Sequence, residues 1–180
     1  SVLVILVLLL SLTSCVNKPV TPATDIYDSG LPATSDITDI DFTAKYIKIT
    51  PSDLSLVKSF IENVRWIRQI GNVPTKNKNP ELFSNDDGWA ELKKITDEYT
   101  AEFFKTNNVF MFAVTVTSGS DSVRVTGVTQ DKNNHIRFYV DTVMSDGGTA
   151  DFGTWLVFVE TKRLEVDFME VFVNSAEKTS

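Results

Sequence analysis

The chain predicts an α+β fold in which two helices are followed by a mostly antiparallel sheet of about five to six strands. Three observations point there. Apolar residues recur at helical spacing in two stretches before residue 107, the period drops to two from residue 109 onward, and short Gly/Ser/Asn/Asp turns separate the later stretches.

Lys45-Tyr46-Ile47-Lys48-Ile49-Thr50 alternates as a short strand. Thr50-Pro51-Ser52-Asp53 then supplies an N-cap, a proline at the first helical position and an acid in the first turn. Leu54, Val57, Phe60 or Ile61, Val64, Ile67 and Ile70 follow at helical spacing and predict a helix ending at Gly71-Asn72. Residues 73 to 84 are polar with two prolines and read as a loop. A second helix starts around Asp86-Asp87-Gly88, places Trp89, Leu92, Ile95, Tyr99 and Phe103 on one stripe, and stops near Thr106-Asn107-Asn108.

From Val109 to Thr117 the pattern is a strand, Ser118-Gly119-Ser120-Asp121 a turn, and Ser122 to Gln130 a second strand. Asp131-Lys132-Asn133-Asn134 is another turn, in which Asn tolerates positive φ, and His135 to Met144 a third strand. Residues 145 to 149 break the alternation. Trp155-Leu156-Val157-Phe158-Val159, apolar on both faces, reads as a central strand, and Val166 to Val173 closes the set. Consecutive strands on short turns are expected to pair antiparallel. Trp66, Trp89 and Trp155 lie on apolar stripes and are expected in the core.

Composition bounds the function. The chain carries 24 acidic and 17 basic residues for a net charge of −7, a poor match to nucleic-acid phosphates. One Cys and one His leave no disulfide framework and no Cys/His zinc site, and the glycines form no phosphate loop, so neither a metal nor a cofactor is expected.

The first fifteen residues hold eleven hydrophobic residues and no charge. The apolar run from residue 2 to 10 is too short to span a hydrocarbon core, which needs about 20 residues, and fits the h-region of an export signal. With no initiator Met and no basic n-region ahead of it, the signal is expected to be truncated at its start. Leu12-Thr13-Ser14-Cys15 resembles the lipobox of bacterial lipoproteins. In that family the Cys sulfur takes a diacylglycerol, the signal is cut just before it, and the new amino terminus is often acylated too, as by palmitate. The resemblance makes Cys15 the lipid-attachment residue, and two or more acyl chains hold a protein on a bilayer stably.

The organisation expected is therefore a signal peptide over residues 1–14, a lipid-attachment residue and flexible acidic linker over 15–43, and one α+β domain over 44–176. The linker is rich in Pro, Thr, Ser and Asp, with little apolar surface to offset chain entropy.

The second half resembles a family of uncharacterised lipoproteins of Gram-positive bacteria. Carrying the resemblance are Tyr99-Thr-Ala-Glu-Phe-Phe104, Asn107-Asn108 before an apolar strand, Ser118-Gly119-Ser120, Gly148-Thr149-Ala150-Asp151, Trp155 and Glu160. More distantly the chain is similar to the PrcB-type C-terminal domain, a subunit of a surface protease complex that is not itself the protease. Leu156 stands where many members carry His, so no role of that His transfers. The family implies no particular activity.

His135, at a turn-to-strand junction, has neither a second His nor a Cys partner in the body, and an exposed strand start is the expectation. Ser118-Gly119-Ser120 joins two strands, whereas a nucleophile elbow needs a strand-to-helix turn. The Asp146-to-Asp151 segment lacks the spaced ligands and closing Glu of a calcium loop. Among the acids, neither Asp141 with Asp151 nor Glu160 with Glu165 stands out by spacing. The rings expected to meet a partner are Tyr139 and Phe152.

The reading that results is a lipid-anchored, non-enzymatic, protein-binding module of a cell-surface complex, held to the membrane through Cys15 and contacting another surface protein. The alternative is an extracytoplasmic lipoprotein that binds a small molecule or glycan, with a hydrolase third. Its expected address is the outer leaflet of the cytoplasmic membrane. Because Val16 is not Asp, an outer membrane is the alternative address in a two-membrane host.

Overall fold

The computed structural model describes residues 36–49, 64–145 and 151–176. All belong to the second of the two units into which the chain divides, Ser1–Leu31 and Pro32–Ser180. The described strands are β1 (Ile37–Asp39), β2 (Phe42–Ile49), β3 (Arg65–Ile67), β4 (Asn107–Val116), β5 (Ser122–Asp131), β6 (His135–Val143), β7 (Gly153–Lys162) and β8 (Phe168–Ala176). The described helices are α1 (Asp86–Thr96) and α2 (Phe103–Thr106), with two single 3-10 turns at Ile70–Asn72 and Pro80–Leu82.

The expected single sheet behind two helices is corrected. About half of the described residues are in strands, arranged as two four-stranded sheets, and the helices are small. One sheet has the order β1-β5-β6-β8 and the other β2-β7-β4-β3.

The cause lies in β4 and β7. Phe110, Phe112, Val114 and Val116 of β4 point to one side with Val157 and Val159 of β7, while Val109, Met111 and Ala113 point to the other with Leu156 and Phe158. Strands apolar on both faces need a cover on each. One face packs against Leu82, Phe83, Leu92, Tyr99 and Phe104 of the helical layer. The other packs against Val123, Val125 and Val128 of β5 and Ile136, Phe138 and Val140 of β6. The β2-β7-β4-β3 sheet is therefore a middle layer, and the β1-β5-β6-β8 sheet an outer one. Phe138, fully buried between them, meets the rings of Phe110 and Phe112 at 5.2 and 5.3 Å.

Two pairings differ from expectation. The Ser118–Asp121 turn, closed by Asp121 N–H to Ser118 O at 3.0 Å, carries the chain from the middle sheet to the outer one and does not make a hairpin. β8 pairs parallel with β6, because β7 intervenes in the other sheet and returns the chain in the direction of β6. β5 and β6 do form an antiparallel hairpin, and Asn134 takes φ 60° in its turn.

The first predicted helix also fails at its end. Arg65–Ile67 is a strand because it pairs with Val109–Met111 of β4, a long-range contact that outweighs local helical spacing. Residues 50–63, the earlier part of that predicted helix, lie outside the described residues, and its expected end at Ile70–Asn72 is a single 3-10 turn. The second predicted helix splits. α1 is capped by Asn85, whose Oδ1 accepts Gly88 N–H at 3.0 Å, with Asp86 and Asp87 in its first turn and Lys93 and Lys94 in its last. It stops at Thr96, and Thr100 Oγ1 then accepts Phe103 N–H at 3.2 Å to start α2. Structure also begins before residue 44: β1 and the start of β2 fall within the segment expected to be linker.

Candidate functional site

The two sheets meet differently along their two sides. On the first, the chain passes directly from β1 to β2, with Ile40 N–H donating to Val128 O at 2.9 Å. β1 pairs β5 only along Asp39–Ile37 with Thr129–Asp131, and farther along β5 the N–H of Val125 is taken at 2.9 Å by Tyr46 Oη of β2. This side is sewn shut.

On the other side, β8 ends the outer sheet, and among the described residues no strand pairs with its far edge. β3 covers only Val109–Met111 of β4. Between them lies an open groove of about 700 Å³ lined by Val64, Phe112, Val114, Met169, Val171 and Val173, with Asp167 and Glu170 also on its wall.

β8 turns its alternate residues outward. Phe168 is 54% and Phe172 39% exposed, and Phe172 stacks on Tyr139 with centroids 5.5 Å apart and planes at 17°. Tyr139 is itself half-buried, because its ring lies beside Gly127, within 3.5 Å of where a Cβ would stand. Phe172 thus presents more of its ring than Tyr139 does. Phe152 is 71% exposed, just before β7. Phe168 and Phe172 were missed by sequence reasoning. The signal was present in Phe168, Glu170, Phe172 and Asn174, where rings alternate with polar groups on what should be a solvated face.

The outer face also holds His135. Its ring meets Phe168 edge-on at 5.5 Å, and Nδ1 lies 3.6 Å from Asp131 Oδ2. Asp131 is buried, which opposes its charge. The N–H groups of Asn133 and His135, with the Arg137 guanidinium at 2.9 Å, nonetheless hold its carboxyl below the usual range. These bonds shape the β5–β6 turn.

Two other polar clusters are built into the framework. Lys45 Nζ lies 2.6 Å from Glu98 Oε2 and 2.8 Å from Glu160 Oε1, and Tyr99 Oη donates to Glu160 Oε1 at 2.9 Å. Burial, then the charge and hydrogen bond of Glu160, push the Tyr99 phenol well above its ordinary value. Burial works against the Lys45 ammonium, yet the hydrogen bonds and charges of Glu160 and Glu98 outweigh it and raise its pKa. The cluster ties the chain after α1 to β2 and β7. At the Ser118–Asp121 turn, Ser118, Ser120 and Ser145 link hydroxyls at 2.8 and 2.5 Å, and Asp121 Oδ1 accepts Ser145 N–H at 3.0 Å. Trp155 Nε1 donates to Asp121 O at 3.0 Å, Lys48 donates to Gly119 O, and the Asp151 carboxylate packs over Gly119.

The acid pairs weighed from sequence are drawn elsewhere: Asp141 stands in register with Arg124, and Glu160 is held by Lys45 and Tyr99. Among the described residues, no group of three or more His, Cys, Asp or Glu side chains is placed to hold a metal ion. No described helix is long and apolar enough to cross a membrane. Cys15 and residues 146–150 of the Asp146-to-Asp151 segment lie outside the described residues. No family model, no curated protein and no solved structure matches the chain.

Proposed function

We propose that this chain is a lipid-anchored, extracytoplasmic module that binds another protein through the open side of its outer sheet, by recognition and without catalysis. The observation carrying the reading is the nine-residue edge of β8 with Phe168 and Phe172 exposed on its outer face. Unpaired strand groups bind extended backbone, and aromatic rings anchor interfaces. Neither group is a nucleophile or an acid-base pair. Anchoring is supported by the apolar run of residues 2–10 and the Leu12-Thr13-Ser14-Cys15 sequence.

The reading is tested by placing a photo-crosslinking residue at position 172 or at exposed Thr43, on the opposite side, and irradiating intact cells. Adducts to protein from position 172 and few from 43 are expected. Equal yields from both positions would sink it. The alternative, a small-molecule receptor, draws on the apolar lining of the groove. It would appear as a ligand extracted with the purified chain and displaced by Val171→Trp.

A further inference from the structure

We infer that the partner seated on β8 is a second copy of this chain, paired edge to edge and antiparallel about a two-fold axis at Phe172. The inference rests on the protein-binding reading above and names its partner.

The first argument compares edges. Proteins blunt exposed strand edges with shortness, Lys, Pro or bulges. Among the described residues, β1 and β3 are three residues long, and β2 carries Lys45 and Lys48. β8 runs nine residues with no Lys and no Pro, in unbroken register with β6, and its one charge is Glu170. It is the long edge without protection, which fits a strand that is covered when the protein works.

The second argument is self-complementarity. In a two-fold antiparallel pair, outward-pointing backbone groups must face one another, so the axis passes through a residue and never between two. An axis at Glu170 would set two carboxylates directly opposite, which is unfavourable. An axis at Phe172 sets Phe172 against its own copy, Glu170 against Asn174, and Val171 against Val173. Since Phe172 already stacks on Tyr139, the result is a continuous strip of four rings across the junction. The groove-facing valines line up on the other face.

The third argument is charge. On the outer face Arg124 opposes Asp141 and Arg137 opposes Glu170 in register, while Asp131 is bound by Arg137. That surface has no large excess of either sign with which to select an oppositely charged partner. A second copy, carrying the same two Arg and three acids there, meets little local repulsion despite the net charge of −7.

A single strand edge is a small interface, so association in solution should be weak, on the order of tens to hundreds of micromolar. Anchoring both copies to one membrane would raise their effective concentration.

The test uses the full chain carrying Cys15→Ser, with Phe172→Cys or Glu170→Cys added, treated with an oxidant or a short bis-maleimide. An axis at 172 places the two substituted positions of Phe172→Cys about 5 Å apart. Those of Glu170→Cys would be about 13 Å apart along the strands. Covalent dimer at least tenfold faster from Phe172→Cys is expected, with concentration-dependent sedimentation of the Cys15→Ser parent abolished by Phe172→Lys. Asn174→Glu, which sets a carboxylate opposite Glu170 of the other copy, should weaken association as well, and circular dichroism of each variant checks that it folds. A parent that stays monomeric to millimolar concentration, or equal crosslinking at 170 and 172, overturns the inference. The photo-crosslinks on cells separate the two readings. Adducts at position 172 of twice the chain's mass support the homodimer, adducts to a different protein overturn it while leaving protein binding intact, and no specific adduct overturns both.

Discussion

The two sides along which the sheets meet are made from the same kind of strand and end differently. Where β1 passes into β2, two hydrogen bonds reach the outer sheet: Ile40 N–H, in the link, donates to Val128 O, and the Tyr46 Oη of β2 takes the Val125 N–H. Where β8 faces β3 and β4, apolar side chains line a groove and β8 has no strand beyond it among the described residues. Both sides share one core, so burial alone does not explain the contrast. The closed side ties the two sheets together through Ile40 and Tyr46, whereas on the open side no such hydrogen bond joins β8 to β3 or β4 among the described residues.

The largest expected effect strikes the core common to both sides. Phe138→Ala removes a fully buried ring that touches Phe110 and Phe112, and should cost about 3–5 kcal/mol in denaturant unfolding. A loss below 1 kcal/mol would mean that the two sheets do not share a packed interior. Tyr46→Phe comes next. It strips the acceptor from Val125 N–H on the closed side and should cost about 1–2 kcal/mol. On the open side Phe172→Ser, which loses only the stack on Tyr139, should cost dilute protein less than about 1 kcal/mol. If Phe172→Ser proved as damaging as Tyr46→Phe, the open side would be structural and the contrast would collapse.

A smaller effect concerns pH and lies outside both sides. Tyr99 and Lys45 have raised pKa values in the fold, against ordinary values of 10.0 and 10.5. Each therefore keeps its proton in the native state at a pH where the unfolded chain has begun to lose it. Their contribution is full below about pH 10 and is lost as pH rises through the folded values. Tyr99→Phe should flatten the alkaline fall in melting temperature, while leaving the crosslinking yield at position 172 unchanged. An alkaline fall as steep as in the parent would show that Tyr99 carries none of it.

How much of this was legible in the sequence depended on the range of each interaction. Local signals were readable: the Trp89, Leu92 and Ile95 stripe of α1, the Asp131–Asn134 turn, and the boundaries of β5 and β6 to within about two residues. Partnering was not. Val64, Ile67 and Ile70 fit a helix, but Arg65–Ile67 joins β4 some forty positions on, which no local period reveals. Alternation identified β4 and β5 as strands without telling which sheet each enters, so the short Ser118–Asp121 link looked like a hairpin. The double-sided apolar character of Val109–Val114, like that of Trp155–Val159, is visible in the sequence and implies a third layer. The parallel β6–β8 pair depends on β7 lying in the other sheet, information that belongs to the whole fold. Of the site, Tyr139 was singled out by sequence, although its ring is partly covered at Gly127, while Phe172 emerged only once β8 was known to be an edge.

The central claim is the proposal that β8 is covered where copies of the chain gather on the membrane that Cys15 is proposed to hold, and open when the chain is dilute. Amide hydrogen exchange of β8 in cell-envelope preparations, set against the dilute purified chain, tests it directly. At least tenfold slower exchange of the outward-facing amides between Phe168 and Asn174 is predicted in the envelope, with β2 unchanged. Equal exchange of β8 in both settings would contradict the account.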